Sequence, residues 1–188
     1  LPIFLNLQKN FKTIGYDTNI KRVISLKKRT DFNQEFKSSS LKLKKKSALT
    51  NNLDDIKNGN FFIVCVPTPV DKKKIPNPSL LKKSCVNLSK ILKKGDIIFF
   101  ESTVYPTVTN NICIPLLNDQ GLKENRDFYV GYSPERINPG DNKKDLNSIS
   151  KIVAFRNNKI KSQVKNVYSK ISKKIFFSKS IVEAETSK

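Results

Sequence analysis

Ile97-Ile98-Phe99-Phe100-Glu101-Ser102-Thr103-Val104-Tyr105-Pro106 is the stretch that sets the fold. Four apolar residues, entered from Lys94-Gly95-Asp96, read as a buried strand opened by a tight turn. The strand runs straight into a polar triplet and a proline. In open α/β sheets, ligands sit just beyond the carboxyl ends of the strands, where such a triplet falls. Phe61-Phe62-Ile63-Val64-Cys65-Val66 repeats the pattern and breaks at Pro67-Thr68-Pro69, which cannot continue a central ladder. Phe128-Tyr129-Val130-Gly131-Tyr132, followed by a loop over 133–141, gives a third such strand.

Helical patterns fill the intervals. Ser79 can cap a helix whose apolar residues Leu81, Cys85, Leu88 and Leu92 form one stripe ending before Gly95. Residues 109–118 read as a helix distorted at Pro115 and closed by Gly121. Residues 150–156 are strand-like; Ile160, Val164, Val167 and Ile171 form a helical stripe before the strand Ile175-Phe176-Phe177. Upstream, 1–11 suits the tail of a helix, 12–17 a short strand ending in Asp17, and 19–28 a second helix. Residues 29–47 read as a polar connection, and 49–59 as a helix with Leu53 and Ile56 inward. Alternation of this kind predicts an α/β fold with a doubly wound parallel sheet. One domain is expected over 1–179, with 180–188 beginning a helix of the next.

The bulk composition narrows the function. The chain of 188 residues has no methionine and opens on Leu1-Pro2 as if within an element, so a fragment lacking both ends is expected. The net charge is +20, but 31 of the 36 basic residues are lysine, scattered through the sequence, and only five are arginine. Sequence readers and phosphate clamps lean on arginine. A solvated lysine-rich surface therefore fits better than a nucleic-acid partner, and a basic polyanion-binding module is the competing reading. No run approaches the roughly 20 apolar residues of a membrane span. Cys65, Cys85 and Cys113, odd in number and each within an apolar stretch, read as reduced, buried thiols of a cytoplasmic protein, with neither disulfide nor metal expected.

Several residues could carry chemistry. Asp17, at a strand end early in an α/β chain, suits the acid that accepts hydrogen bonds from the adenosine ribose of NAD and disfavours the 2′-phosphate of NADP; it could equally cap the following helix. Thr68 and Thr103 each follow a buried strand, where a hydroxyl can bond a ribose or nicotinamide, hold a water, or merely close a turn. Glu135, in Ser-Pro-Glu-Arg-Ile-Asn-Pro-Gly-Asp, follows a strand in a stiff loop. Beside Arg136 it offers a proton-transfer carboxylate next to a phosphate- or carboxylate-recognising guanidinium. Lys188, near Glu183 and Glu185, is on its own an ordinary surface lysine.

Val66-Pro67-Thr68-Pro69-Val70-Asp71, Glu101 to Pro106, Gly131 to Asp141 and Ala184-Glu185-Thr186-Ser187-Lys188 together resemble the UDP-glucose/GDP-mannose dehydrogenase family. The likeness is to its branch acting on UDP-N-acetylhexosamines in surface-polysaccharide synthesis. The motifs occur in family order across essentially the whole chain. The resemblance implies an NAD-dependent, two-step oxidation of a sugar C6 alcohol to a carboxylate, with UDP-glucose as the alternative substrate and a homodimer in the full-length protein. Asp17 would bind the adenosine ribose, Arg22 the adenine end, and Thr68 and Thr103 the cofactor. Thr103 would also position a catalytic water, and Glu135 would act as acid and base. Arg136 and Ile137 would hold the nucleotide sugar, and Lys188 would bind substrate and stabilise oxyanions. The family's glycine-rich turn, asparagine and nucleophilic cysteine are expected outside 1–188, and none of the three cysteines here matches that nucleophile. Thr107 stands where the branch usually has glycine, and Phe155-Arg156-Asn157 replaces a small-residue turn.

Overall fold

The computed structural model describes residues 1–135 and 150–187. Helix α1, Pro2–Leu7, leads to β1, Ile14–Tyr16, and α2, Ile20–Lys27, whose first turn is capped by Asn19. Next come β2, Ala48–Thr50, and β3, Phe61–Val64. Helix α3, Ser79–Ser89, connects β3 to β4, Ile97–Phe100. A wide π-type turn, Thr109–Cys113, runs into α4, Ile114–Leu117, and then β5, Tyr129–Tyr132. The chain closes with β6, Ser150–Phe155; α5, Lys161–Tyr168; β7, Lys174–Phe177; and α6, Ile181–Thr186.

The main sheet has five strands in the order β3-β4-β5-β6-β7, and β1 and β2 form a separate parallel pair. The run 97–100 lies at the centre of the fold, as its composition predicts. Ile97 and Phe99 point into a core closed by α1 and α5, through Ile3, Leu7, Val164 and Tyr168. Ile98 and Phe100 point to the opposite core, closed by α3, α4 and α6 through Leu81, Cys85, Leu117 and Ala184. The alternation of a strand thus divides one apolar run between two helical layers. The turn before it depends on Gly95, whose φ of +90° favours glycine.

Close packing explains a second glycine. Gly131 pairs with Phe99, and a Cβ at Gly131 would fall 2.2 Å from the Phe99 ring. Without it, that ring stacks on Phe61 at 5.5 Å between centroids and meets Tyr168 at 5.1 Å.

Three expectations about the secondary-structure elements change. Residues 49–59 are not a helix: Leu49 and Thr50 belong to β2, paired in parallel with β1, and only Leu53–Ile56 makes a short 3-10 turn. The helix expected over 109–118 starts as a π-type turn and becomes regular where Pro115, at its first positions, has no N–H to donate. Strand β6 runs antiparallel to β5, so the sheet is mostly rather than wholly parallel. An antiparallel neighbour enters from the edge at which its predecessor left, with no crossover needed.

Cys85 and Cys113 are buried as expected, but Cys65, just past β3, is exposed. The Arg156-Asn157 departure ties the end of β6 to the loop before β5. Arg156 meets Glu124 at 3.2 Å and Asn110 Oδ1 at 2.7 Å, and Asn157 Nδ2 donates to Asn125 Oδ1 at 2.8 Å. No helix among the described residues is long and apolar enough to cross a membrane.

Candidate active site

The carboxyl ends of β3, β4 and β5 deliver Thr68, Thr103 and Glu135 to one edge of the sheet. The strand ladders continue past the strands themselves: Glu101 N donates to Val64 O at 2.8 Å, and Ser133 N to Phe100 O at 3.0 Å. Side chains then join the loops. Ser102 Oγ donates to Val66 O at 2.6 Å, Tyr132 OH to Ser102 O at 3.1 Å, and Thr68 Oγ1 to the Thr103 carbonyl. Thr68 and Thr103, 35 residues apart in sequence, are therefore neighbours. Both line a narrow cleft with Val104 and Tyr105.

Asp17 and Arg22 stand at the end of β1 as a half-exposed pair, 3.6 Å apart. One Asp17 oxygen accepts the Asn19 N–H at 2.9 Å, ahead of α2, so the capping role is present. A carboxylate at the end of β1 and hydroxyls at the ends of β3 and β4 fit an extended nucleotide lying across the strand ends. Arg136, Ile137 and Lys188, expected to hold the sugar, lie outside the described residues.

Beneath the edge is a buried ion pair that sequence reading missed. The Lys151 ammonium donates to Glu101 and, at 3.3 Å, to the carbonyl of Pro134, the residue before Glu135. Their side chains are 2% and 0% exposed. The reversed direction of β6 makes this possible, because its first residues return to the edge where β5 ends. Burial pushes the Glu101 carboxyl up, against the pull of Lys151. Burial also raises the Tyr168 hydroxyl, which interacts with Glu101 and Ser133. Among the described residues, Glu101 Oε1, Ser133 Oγ and Tyr168 OH nevertheless form no hydrogen bond of good geometry. The available signal was a charge set flush against an apolar run, at Phe100-Glu101 and at Lys151-Ile152-Val153.

Thr107 holds a φ of +76°, in the left-handed region that favours glycine. Its N–H and that of Thr109 are bound by Glu185 of α6.

A mostly parallel sheet with helices on both faces and polar residues at its carboxyl edge defines a Rossmann-like α/β domain. Residues 3–172 match the UDP-glucose/GDP-mannose dehydrogenase family, NAD binding domain. The chain is similar to UDP-N-acetyl-D-glucosamine 6-dehydrogenase of Pseudomonas aeruginosa, 40% identical over 91% of this chain and 41% of that protein. Its counterpart in Salmonella typhi is 39% identical over 100% of this chain and 45% of its own length. In structure it is similar to UDP-D-ManNAc dehydrogenase from Pyrococcus horikoshii, with a TM-score of 0.82, 26% identity, and coverage of 98% of this chain and 45% of that one. GDP-mannose dehydrogenase from Pseudomonas aeruginosa shares the fold at a TM-score of 0.87 and 20% identity, over 98% of this chain and 45% of that one. This chain belongs to the UDP-glucose/GDP-mannose dehydrogenase family, as its NAD-binding domain. It spans less than half the length of the curated relatives it matches.

Proposed function

We propose that the chain is the NAD-binding part of a dehydrogenase that oxidises the C6 alcohol of a UDP-N-acetylhexosamine to the uronic acid, for surface polysaccharide synthesis. The observation that carries this reading is the convergence of Thr68, Thr103 and Glu135 at the ends of three adjacent strands, in a chain whose relatives bear that activity in their names. NAD held along this edge would supply the hydride acceptor for the sugar carbon. The residues of the chain do the rest. Asp17 takes the ribose hydroxyls, with Arg22 toward the adenine; Thr68 and Thr103 hold the cofactor across the strand ends. Glu135 receives the alcohol proton as hydride leaves, and Thr103 positions the water that enters at the aldehyde stage. Arg136 and Ile137 hold the nucleotide sugar, and Lys188 stabilises the negative oxygen that develops. A homodimer, a cytoplasmic setting and a boundary near residue 180 belong to the same proposal.

Glu135→Gln in the full-length protein tests the assignment. Loss of a general acid-base group costs about 10²–10⁴ in turnover. The expected result is a fall of that size in kcat with NAD affinity retained. Turnover within a few-fold of wild type would remove Glu135 from the reaction.

A further inference from the structure

The turn that follows Thr103 is held from outside its own strand. Glu185 of α6 is 2% exposed. Its Oε2 accepts the Thr107 N–H at 2.6 Å and its Oε1 the Thr109 N–H at 2.9 Å, across 78 and 76 residues of sequence. The helix that carries it is itself fixed. Ser180 Oγ caps its first turn at 3.0 Å, and Ile181 and Ala184 are buried in the core beside β5 and β6. A buried carboxylate is tolerated when amides satisfy it, and two charge-assisted bonds from Thr107 and Thr109 do so.

Between those bonds lies the strain. Thr107 is β-branched and holds a φ of +76°. Such a residue stays in the left-handed region only where its surroundings over-determine the backbone. Asn111 contributes, through its N–H to Thr107 O at 2.8 Å, but that contact is internal to the turn. Glu185 joins the turn to the core.

We propose that Glu185 is a positioning residue for the nucleotide-contacting turn. It holds residues 104–109 in their strained path and so fixes Thr103, whose carbonyl meets Thr68 at the cleft. The inference rests on the reading of this edge as an NAD site and deepens it.

The test uses the full-length protein. Glu185→Gln preserves shape but replaces one acceptor with an amide group that cannot accept. It is expected to weaken NAD binding about tenfold or more by titration calorimetry, since small misplacements of contacting groups are costly. The Thr107 and Thr109 amides should lose protection from hydrogen exchange while the sheet amides keep theirs. Adding Thr107→Gly, which relaxes the backbone, should return affinity to within about threefold of wild type, as coupled neighbours do and independent sites do not. Unchanged NAD affinity in Glu185→Gln, or a loss that Thr107→Gly does not recover and that follows only the unfolding midpoint, would overturn the proposal. Failure of the wild type to bind NAD would overturn the site reading instead. In that event, exchange at Thr107 and Thr109 still decides whether Glu185 holds the turn, and retained protection in Glu185→Gln refutes it.

Discussion

Lys151 shows most plainly what a single residue contributes beneath the site. Its ammonium is nearly inaccessible, and it bridges Glu101, at the end of one strand, to the Pro134 carbonyl, at the end of the next. Removing one partner of such a pair leaves an uncompensated buried charge. Lys151→Met is therefore expected to lower the stability of the full-length protein by about 3–5 kcal/mol in urea unfolding. The double variant with Glu101→Leu should recover most of that loss; a single-variant loss below about 1 kcal/mol would show that the pair is not held as described. The placement of Thr68, Thr103 and Glu135 just past strand ends is legible from the sequence because each follows an unmistakable apolar run. The Glu101–Lys151 pair is not, because its members are 50 residues apart and no local pattern links a strand end to the start of a strand of unknown direction. At Thr107 the sequence shows only a resemblance to a motif with glycine at that place, and the positive φ gives that difference a physical meaning.

The elements were read well where they are long or deeply buried and poorly where their partners are distant. Strands β3, β4 and β5 and helices α3 and α5 fall where their patterns predict. Strand β2 reads as part of a helix because Thr50 or Asn51 could cap one ahead of Leu53 and Ile56, while a three-residue strand leaves little local trace. What decides it is pairing with Ile14-Gly15-Tyr16, a contact made across more than thirty residues. The direction of β6 was equally hidden, because alternation of side chains is the same either way along a strand. At this scale the sharpest test is Gly131, where β5 meets β4. A methyl group there would fall 2.2 Å from the Phe99 ring, which is stacked on Phe61 and tilted against Tyr168. Gly131→Ala is expected to cost about 1–3 kcal/mol through overpacking, read as a lower urea midpoint. A neutral result would mean that the aromatic stack moves aside freely.

For the whole molecule, the division of one apolar run between two helical layers places three loops at one edge. Side chains from β6 and α6 then fix those loops from below and behind. The central claim is that this domain serves a four-electron oxidation of a nucleotide sugar. Its most direct test is the stoichiometry of NAD reduction by the full-length protein with limiting UDP-N-acetylglucosamine. The account predicts two NADH formed for each sugar converted to the uronic acid, because alcohol to carboxylate requires two hydride transfers. One NADH per sugar, or no reduction with any UDP-N-acetylhexosamine, would contradict it.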